Sequence, residues 1–455
     1  MPKNSNSIGI KVPEILLPDS HIDYSKWAVI ACDQYTSQRS YWNDVKKEVG
    51  DTPSALHIIF PEVYLEDNDR DRRIADITKT MKNYLEEGVL RPLSPSFLYV
   101  ERRLHSGIRK GLIVALDLEQ YDYRAGSQTL IRATEGTVLD RLPPRIRIRQ
   151  GAALEIPHIM VLIDDPQSTV IEPISEDLSQ TDKLYDFDLM RNGGHITGYR
   201  IGDPASIQRI VDALAKLADP AAFRNKYGVG EEKGVLLFAV GDGNHSLAAA
   251  KACWEDRKKN LSAEEAADHP ARFALVELVN VHEEALVFEP IHRVLFHIDP
   301  VNVIGDMKKF YDSSRQDFAY ELFDSEKAMK KEYLSYEDSK SEDNRSHRIP
   351  FVFRDRWGIL QIDRPKSNLE AGTLQTFLDE FLKGNPGVTV DYIHGWDTTA
   401  ELGWQPGNIG FFLPAMNKDD LFKTVILDGA LPRKTFSMGE AYEKRFYLEC
   451  RRISV

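Results

Sequence analysis

Cysteine is scarce: Cys32, Cys253 and Cys450 are the only three in 455 residues. They are far apart and odd in number, with no CxxC or Cys/His pairing, which argues against a disulfide framework or a structural zinc site. Neither haem nor flavin is expected. Basic charge is also short. Lys plus Arg total 58 against 71 Asp plus Glu, a net charge of −13. Such a chain is repelled by polyphosphate backbones, so nucleic acid is not the expected partner. No apolar run approaches the roughly 20 residues a membrane-spanning helix needs. The first twenty residues lack the apolar stretch of a signal peptide. The expectation is a cytoplasmic protein with no membrane partner. What remains is ordinary: 42% hydrophobic and 28% charged residues, the balance of a globular chain with room for a real core.

The patterning predicts a mixed α/β (α+β) chain in three stretches: a mixed region over 1–130, a core over 131–300 and an α+β region over 301–455. A stripe of Ile74, Ile77, Met81 and Leu85 at helical spacing predicts a helix over 67–88. Strands are expected at 97–103, 110–118, 158–163 and 273–280, and an amphipathic helix over 205–218. Residues 219–234, with Pro, Gly and charge, read as a loop. Ser262 and Glu265 fit a capping box. Further on, a hairpin is expected over 351–363, helices over 368–383 and 418–427, and strands at 388–394 and 409–413.

The sharpest local signal is an apolar strand over 235–240, then Gly241-Asp242-Gly243-Asn244-His245-Ser246, then an Ala-rich helix. A helix start leaves amides unpaired and carries partial positive charge, and glycines allow close approach, so a phosphate fits there. Gly241, Gly243, Asn244 and Ser246 are the candidate phosphate contacts, with Asp242 and His245 as candidate catalytic groups. A second feature is Arg141, Arg145, Arg147 and Arg149. The alternation of Arg145, Arg147 and Arg149 with Ile146 and Ile148 predicts a strand after Pro143 and Pro144, with its guanidinium groups on one face. These four arginines, with His158 and His292, are the candidate substrate clamp. Glu135 and Glu155 are candidate general bases. Asp164-Asp165 at a strand end is a candidate for Mg²⁺, which takes a carboxylate or two plus phosphate oxygens. Arg293, in Glu-Pro-Ile-His-Arg, and Lys434, in Leu-Pro-Arg-Lys-Thr, are candidate phosphate cations. Each of these residues also has a plain structural reading as a cap, an ion pair or a loop.

Four motifs carry a resemblance. Asp242-Gly-Asn-His-Ser246 with Leu-Ala-Ala-Ala resembles the Asp-Gly-His-His-Arg and Ala-rich helix of the domain-of-unknown-function family numbered 1015. Glu289-Pro-Ile-His-Arg293 resembles its Pro-Thr-His-Arg. Val390-Asp-Tyr-Ile-His394 and Leu431-Pro-Arg-Lys-Thr435 resemble its Val-Asp-Tyr-x-His and Leu-Pro-x-Lys-Ser/Thr. The first motif also resembles that of the ParB, sulfiredoxin and free-serine-kinase superfamily, where the loop and helix start bind nucleotide phosphates. The resemblance implies a ParB-like core binding ADP or ATP, with Mg²⁺. It also implies phosphoryl transfer or removal on a small hydroxylated metabolite such as serine or phosphoserine. The alternatives are a ParB-like nucleotide-binding regulator or DNA-associated protein without turnover, and a non-catalytic metabolite sensor. Asn244 stands where the family has its first His, and Ser246 where it has Arg, so either another cation (Arg293, Lys434 or the Arg145, Arg147 and Arg149 strip) meets a phosphate charge or the site binds something less charged.

Overall fold

A computed structural model describes residues 5–137, 142–337 and 346–454. It divides into two compact units, one of Met1–Val287 with Met438–Val455 and one of Phe288–Ser437.

The first unit is built on a ten-stranded mixed sheet. From one edge it runs Asp182–Asp188, His195–Ile201, Phe97–Leu104, Gly107–Asp117, Phe273–Asn280, Met160–Ile163, Phe238–Asp242, Ile131–Ala133 and Tyr121–Asp122, with Ile10–Lys11 added beside Gly107–Asp117. One sheet thus takes strands from both sides of residue 130. Alternation explains why both its faces are covered. Leu98, Val100, Ile113 and Leu275 join one apolar cluster, whereas Phe97, Tyr99, Leu112, Val114 and Val276 join another. The last residues of the chain return to this unit. Phe446–Tyr447 pairs with Val29–Ile30, Arg451–Arg452 pairs with Leu154–Glu155, and the Trp27 indole N–H donates to the Leu448 carbonyl at 3.0 Å.

Most expected elements form, and three differ instructively. The arginine stretch is a helix, Leu142–Gln150, and not a strand. Pro143 and Pro144 sit in its first turn, where a proline costs no helical hydrogen bond and its fixed φ suits the helix. The residues read as a loop contain the helix Pro220–Tyr227. Asp219 caps it through Ala222 N at 2.8 Å, and Gly228 ends it at φ 64°. The apolar stretch over 235–240 pairs as a strand only over Phe238–Asp242. The expected capping box at Ser262 and Glu265 is present, and the strand Phe273–Asn280 has the expected limits.

The second unit holds a seven-stranded sheet. The order is Asp317–Phe323, Arg356–Asp363, Ser346–Phe353, Ile409–Phe411, Phe288–Phe296 and Thr389–His394, with Phe436–Met438 beside Phe288–Phe296. The helices Pro300–Ser313 and Glu370–Gly384 cover it with Val303, Met307, Tyr311, Leu374 and Phe377. No helix among the described residues is long and apolar enough to cross a membrane.

Candidate functional site

The strand Phe238–Asp242 and the strand Ile131–Ala133 run parallel, with Val240 opposite Ala133. Both chains therefore leave the sheet at the same edge. Thr134 fastens that edge by donating to the Val240 carbonyl at 2.6 Å. Glu135 follows, half-buried. Beside it the Gly241–Ser246 loop leads into the helix Asn244–Lys258. Gly243 is the turning residue. Its φ of 78° lies in the left-handed region, and a Cβ there would meet Ile159 Cγ1 at 3.0 Å and Ile159 Cα at 3.1 Å. A glycine is required on both counts. Having no side chain, Gly243 cannot itself cap the helix. The loop is neither sealed nor fully open: every residue from Gly241 to Ser246 is half-buried except Gly243, which is buried. Asn244 Oδ1 is buried with no hydrogen-bond partner among the described residues.

Cations and carboxylates gather around this helix start from distant parts of the sequence. Lys444 Nζ lies 3.2 Å from Asp242 Oδ2, and Asp242 also accepts from the Gly243 amide at 2.9 Å. Ser246 Oγ is 3.2 Å from His158 Nε2. On its other side, His158 Nδ1 is 2.9 Å from the Tyr447 hydroxyl. That hydroxyl accepts from the Cys32 amide at 3.2 Å. Asp33 Oδ2 stands 3.8 Å from His158 Nε2. Burial alone would raise the Asp33 carboxyl, but His158, the Gln34 hydrogen bond, Lys444 and Arg145 together bring it below its ordinary range. Arg145 pairs with Glu62, whose own carboxyl is raised, chiefly by burial. A cavity of about 140 Å³ opens beside Ser246. Phe60, Met81, Ile148, Leu154 and Ile156 form its apolar wall; Cys32, Glu62, Arg145, His158 and Tyr447 are polar members.

Several expected site residues are brought together here: Asp242, Gly243, Asn244, His245, Ser246, Arg145 and His158. Others are committed elsewhere. Glu155 is buried and accepts from Arg149 at 2.5 Å, Arg451 at 2.7 Å and the Leu275 amide at 2.8 Å. Burial opposes its charge, but Arg451 and Arg149 hold its carboxyl below the ordinary range. It is thus an ion-pair hub and no free base. Arg147 is exposed and pairs with Asp71 at 3.1 Å. Arg141 lies outside the described residues. Asp165 is fully buried and accepts from the Thr169 and Val170 amides at 2.6 and 2.9 Å, so it shapes its own turn. Asp164 is held by Tyr227, by Lys226 and by His282 at 2.7 Å. Those partners displace a metal role. No three His, Cys, Asp or Glu side chains converge as a metal site among the described residues.

Arg293, His292 and Lys434 belong to the second unit. Arg293 is fully buried, donates to the Ile291 and Arg433 carbonyls, and lies 5.0 Å over the Tyr392 ring. It braces the strand Phe288–Phe296 and is not offered to a phosphate. Lys434 is exposed in a left-handed turn, φ 56°. His292 is buried, and its Nδ1 accepts the Leu413 amide at 3.1 Å. That fixes it in the core, away from a substrate role. Burial, reinforced by Arg293 and His394, pushes its pKa down to about 4.

The His292 shift has a sign that can be measured. The unfolded histidine titrates near its ordinary pKa of about 6.5. Its contribution to stability is complete above that value and is lost as pH falls towards about 4. Between those limits, wild type is expected to lose urea resistance more steeply than His292→Gln, followed by tryptophan fluorescence. Equal pH slopes would contradict the assignment.

Sequence reasoning missed Lys444, Tyr447, Asp33 and Glu62. Only the return of Met438–Val455 to the first unit brings Lys444 and Tyr447 to the loop, and no local pattern announces that return. The one available signal is the run Lys444-Arg445-Phe-Tyr447, where charge sits against aromatics near the chain end.

A family model described as "Protein of unknown function (DUF1015)" matches residues 16–381. The chain belongs to that family. Two of its expected motifs, at 390–394 and 431–435, lie beyond the matched span. No curated protein matches the chain. Among solved structures, the chain is similar to a mutant free serine kinase in complex with AMP. That likeness has 11% identity and a TM-score of 0.38, covering 75% of this chain and 92% of that one. A complex of the kinase mutant with ADP gives the same figures. A conserved hypothetical protein from Pyrococcus furiosus is 13% identical at a TM-score of 0.33, covering 74% of this chain and 90% of that one.

Proposed function

We propose that this chain is an enzyme that binds a phosphorylated small molecule, a nucleotide such as ADP or ATP included. It transfers or removes a phosphoryl group on a small hydroxylated metabolite. On this reading the strand–loop–helix of the first unit is the nucleotide-binding element of a ParB/sulfiredoxin-like core. The observation that carries the proposal is the start of the helix Asn244–Lys258: its N-cap residue is a left-handed glycine with no side chain, its first turn is half-exposed, and Lys444 stands beside it. A helix start of that kind attracts an oxyanion.

Phosphoryl transfer needs positioning and charge neutralisation more than covalent chemistry. The Asn244–Ser246 turn supplies the first, with Gly241 and Gly243 keeping the approach open. Lys444 and Arg145 supply the second, in place of the arginine that the family has at position 246. The acceptor oxygen bonds to phosphorus while the bond from phosphorus to the nucleotide's bridging oxygen breaks, its electron pair leaving on the nucleoside phosphate. The hydroxyl proton passes to Glu135 or Asp242, the two carboxylates at this sheet edge. Glu135 and Asp242 would also be the carboxylates to hold a phosphate-borne Mg²⁺, which takes a carboxylate or two plus phosphate oxygens. Asn244 Oδ1, buried without a donor among the described residues, is suited to accept from a ligand hydroxyl.

The test is a thermal-shift panel of nucleotides and phosphometabolites, followed by ³¹P NMR on serine or phosphoserine with ADP or ATP. His245→Ala is expected to weaken the response and leave the unliganded melting temperature unchanged. A flat panel with wild type would overturn the reading. Arg293→Ala, by contrast, is expected to lower stability without a selective effect on ligand binding.

A further inference from the structure

Resting on the proposed reading, we infer that the cavity beside Ser246 holds the uncharged, apolar body of the phosphoryl acceptor. The substrate class is then a small apolar alcohol and its phosphate ester, rather than an amino acid.

Three observations lead there. The first is charge. Among the described residues lining the cavity, each carboxylate is already held by guanidinium groups, Glu62 by Arg145 and Glu155 by Arg149 and Arg451. The ammonium of an amino acid brought inside would lose its hydration with both lining carboxylates already taken, which is costly. The second is size and lining. At about 140 Å³, with Phe60, Met81, Ile148 and Ile156 in its wall, the cavity matches the roughly 150 Å³ of apolar space that takes a benzene-sized group. The third is position. Ser246 belongs both to the first turn of the helix Asn244–Lys258 and to the cavity wall. Whatever fills the cavity therefore begins directly at the phosphate site. A nucleobase is separated from its terminal phosphate by a ribose and a further phosphate, so it does not fit that spacing. The carbon bearing a phosphate ester oxygen does. At the junction, His158 and Ser246, 3.2 Å apart, are the pair that an entering hydroxyl meets.

The experiment compares binding of benzyl phosphate, O-phosphoserine and inorganic phosphate by isothermal titration calorimetry, on wild type and Ile148→Trp. Ile148 is half-buried on the cavity wall, so a larger side chain fills the space. Wild type is expected to prefer benzyl phosphate over O-phosphoserine by roughly tenfold or more, the scale on which an apolar pocket discriminates. Ile148→Trp is expected to erase that preference while inorganic phosphate binds unchanged. Should O-phosphoserine bind wild type as tightly as benzyl phosphate, the cavity inference falls and the phosphate site stands. The wild-type comparison decides this even if the variant does not fold. Should none of the three bind, inorganic phosphate included, the proposed function itself falls, and the inference with it.

Discussion

Gly243→Val is expected to abolish phosphate and nucleotide binding, whereas Gly241→Ala two residues earlier is expected to retain most of it. The contrast follows from what each new side chain meets. At Gly243 the backbone is left-handed, and the Cβ would press on the Ile159 backbone. A β-branched residue there is strained, at about 1–2 kcal/mol, and relief comes from rotating the turn that presents the first-turn amides. Losing two hydrogen bonds to a charged ligand, each about 1.5–3 kcal/mol, amounts to roughly a hundredfold or more in affinity. At Gly241 the Cβ would meet Met438 Sδ at 2.9 Å and Leu162 Cδ1 at 3.0 Å, both ends of side chains that can move. Calorimetric titration with phosphate and ADP checks both. Equal losses in the two variants would place the ligand elsewhere.

The second large effect is on stability. Arg445→Ala is expected to lower the unfolding free energy of the first unit by about 3–5 kcal/mol. Arg445 is buried with Glu277 and Glu449, donating to both carboxylates and, at 3.2 Å, to the Pro157 carbonyl. Tyr185 donates to Glu449 at 2.5 Å. Burial opposes the charge on Glu277, but Arg445 and then Arg109 hold its carboxyl below the ordinary range. Removing the guanidinium leaves two carboxylates in the core facing a deficit of positive charge. Because that stabilisation exists only while Glu277 is ionised, it is lost in wild type as pH falls through the depressed pKa. The deficit of the variant is therefore expected to shrink towards acid pH. Urea unfolding followed by circular dichroism at neutral and acid pH measures this. A loss under about 1 kcal/mol, the scale of a surface ion pair, would contradict the network's role.

Where local chemistry decided the structure, the sequence was readable. Ser262 with Glu265, the all-buried strand Phe273–Asn280 and the glycine-to-alanine transition at 241–250 each carry their own cause. The Arg-Ile alternation misleads because the two prolines in the first turn, and not the period of two, set the conformation of the segment. On the actual helix, Arg145 and Arg149 share a face four residues apart while Arg147 points away, which is why their partners are Glu62, Glu155 and Asp71. The helix Pro220–Tyr227 carries the same Asp-Pro start as Pro204–Leu217 and Pro300–Ser313, a signal outweighed by its short length and charge. The candidate site was half legible. The loop announced itself, but Lys444, Tyr447 and Asp33 come from the two ends of the chain. Only the antiparallel pairing of Phe446–Tyr447 with Val29–Ile30 makes them neighbours. Arg293 and His292 looked available because a strand residue's burial depends on the layer packed over it, which no short motif encodes.

The most direct test of the phosphate site is a crystal structure with ADP bound. The account predicts a phosphate oxygen within hydrogen-bond reach of the Asn244–Ser246 amides, with Lys444 turned towards it from Asp242. A nucleotide bound with its phosphates away from that helix start, the Asp242–Lys444 pair undisturbed, would contradict it.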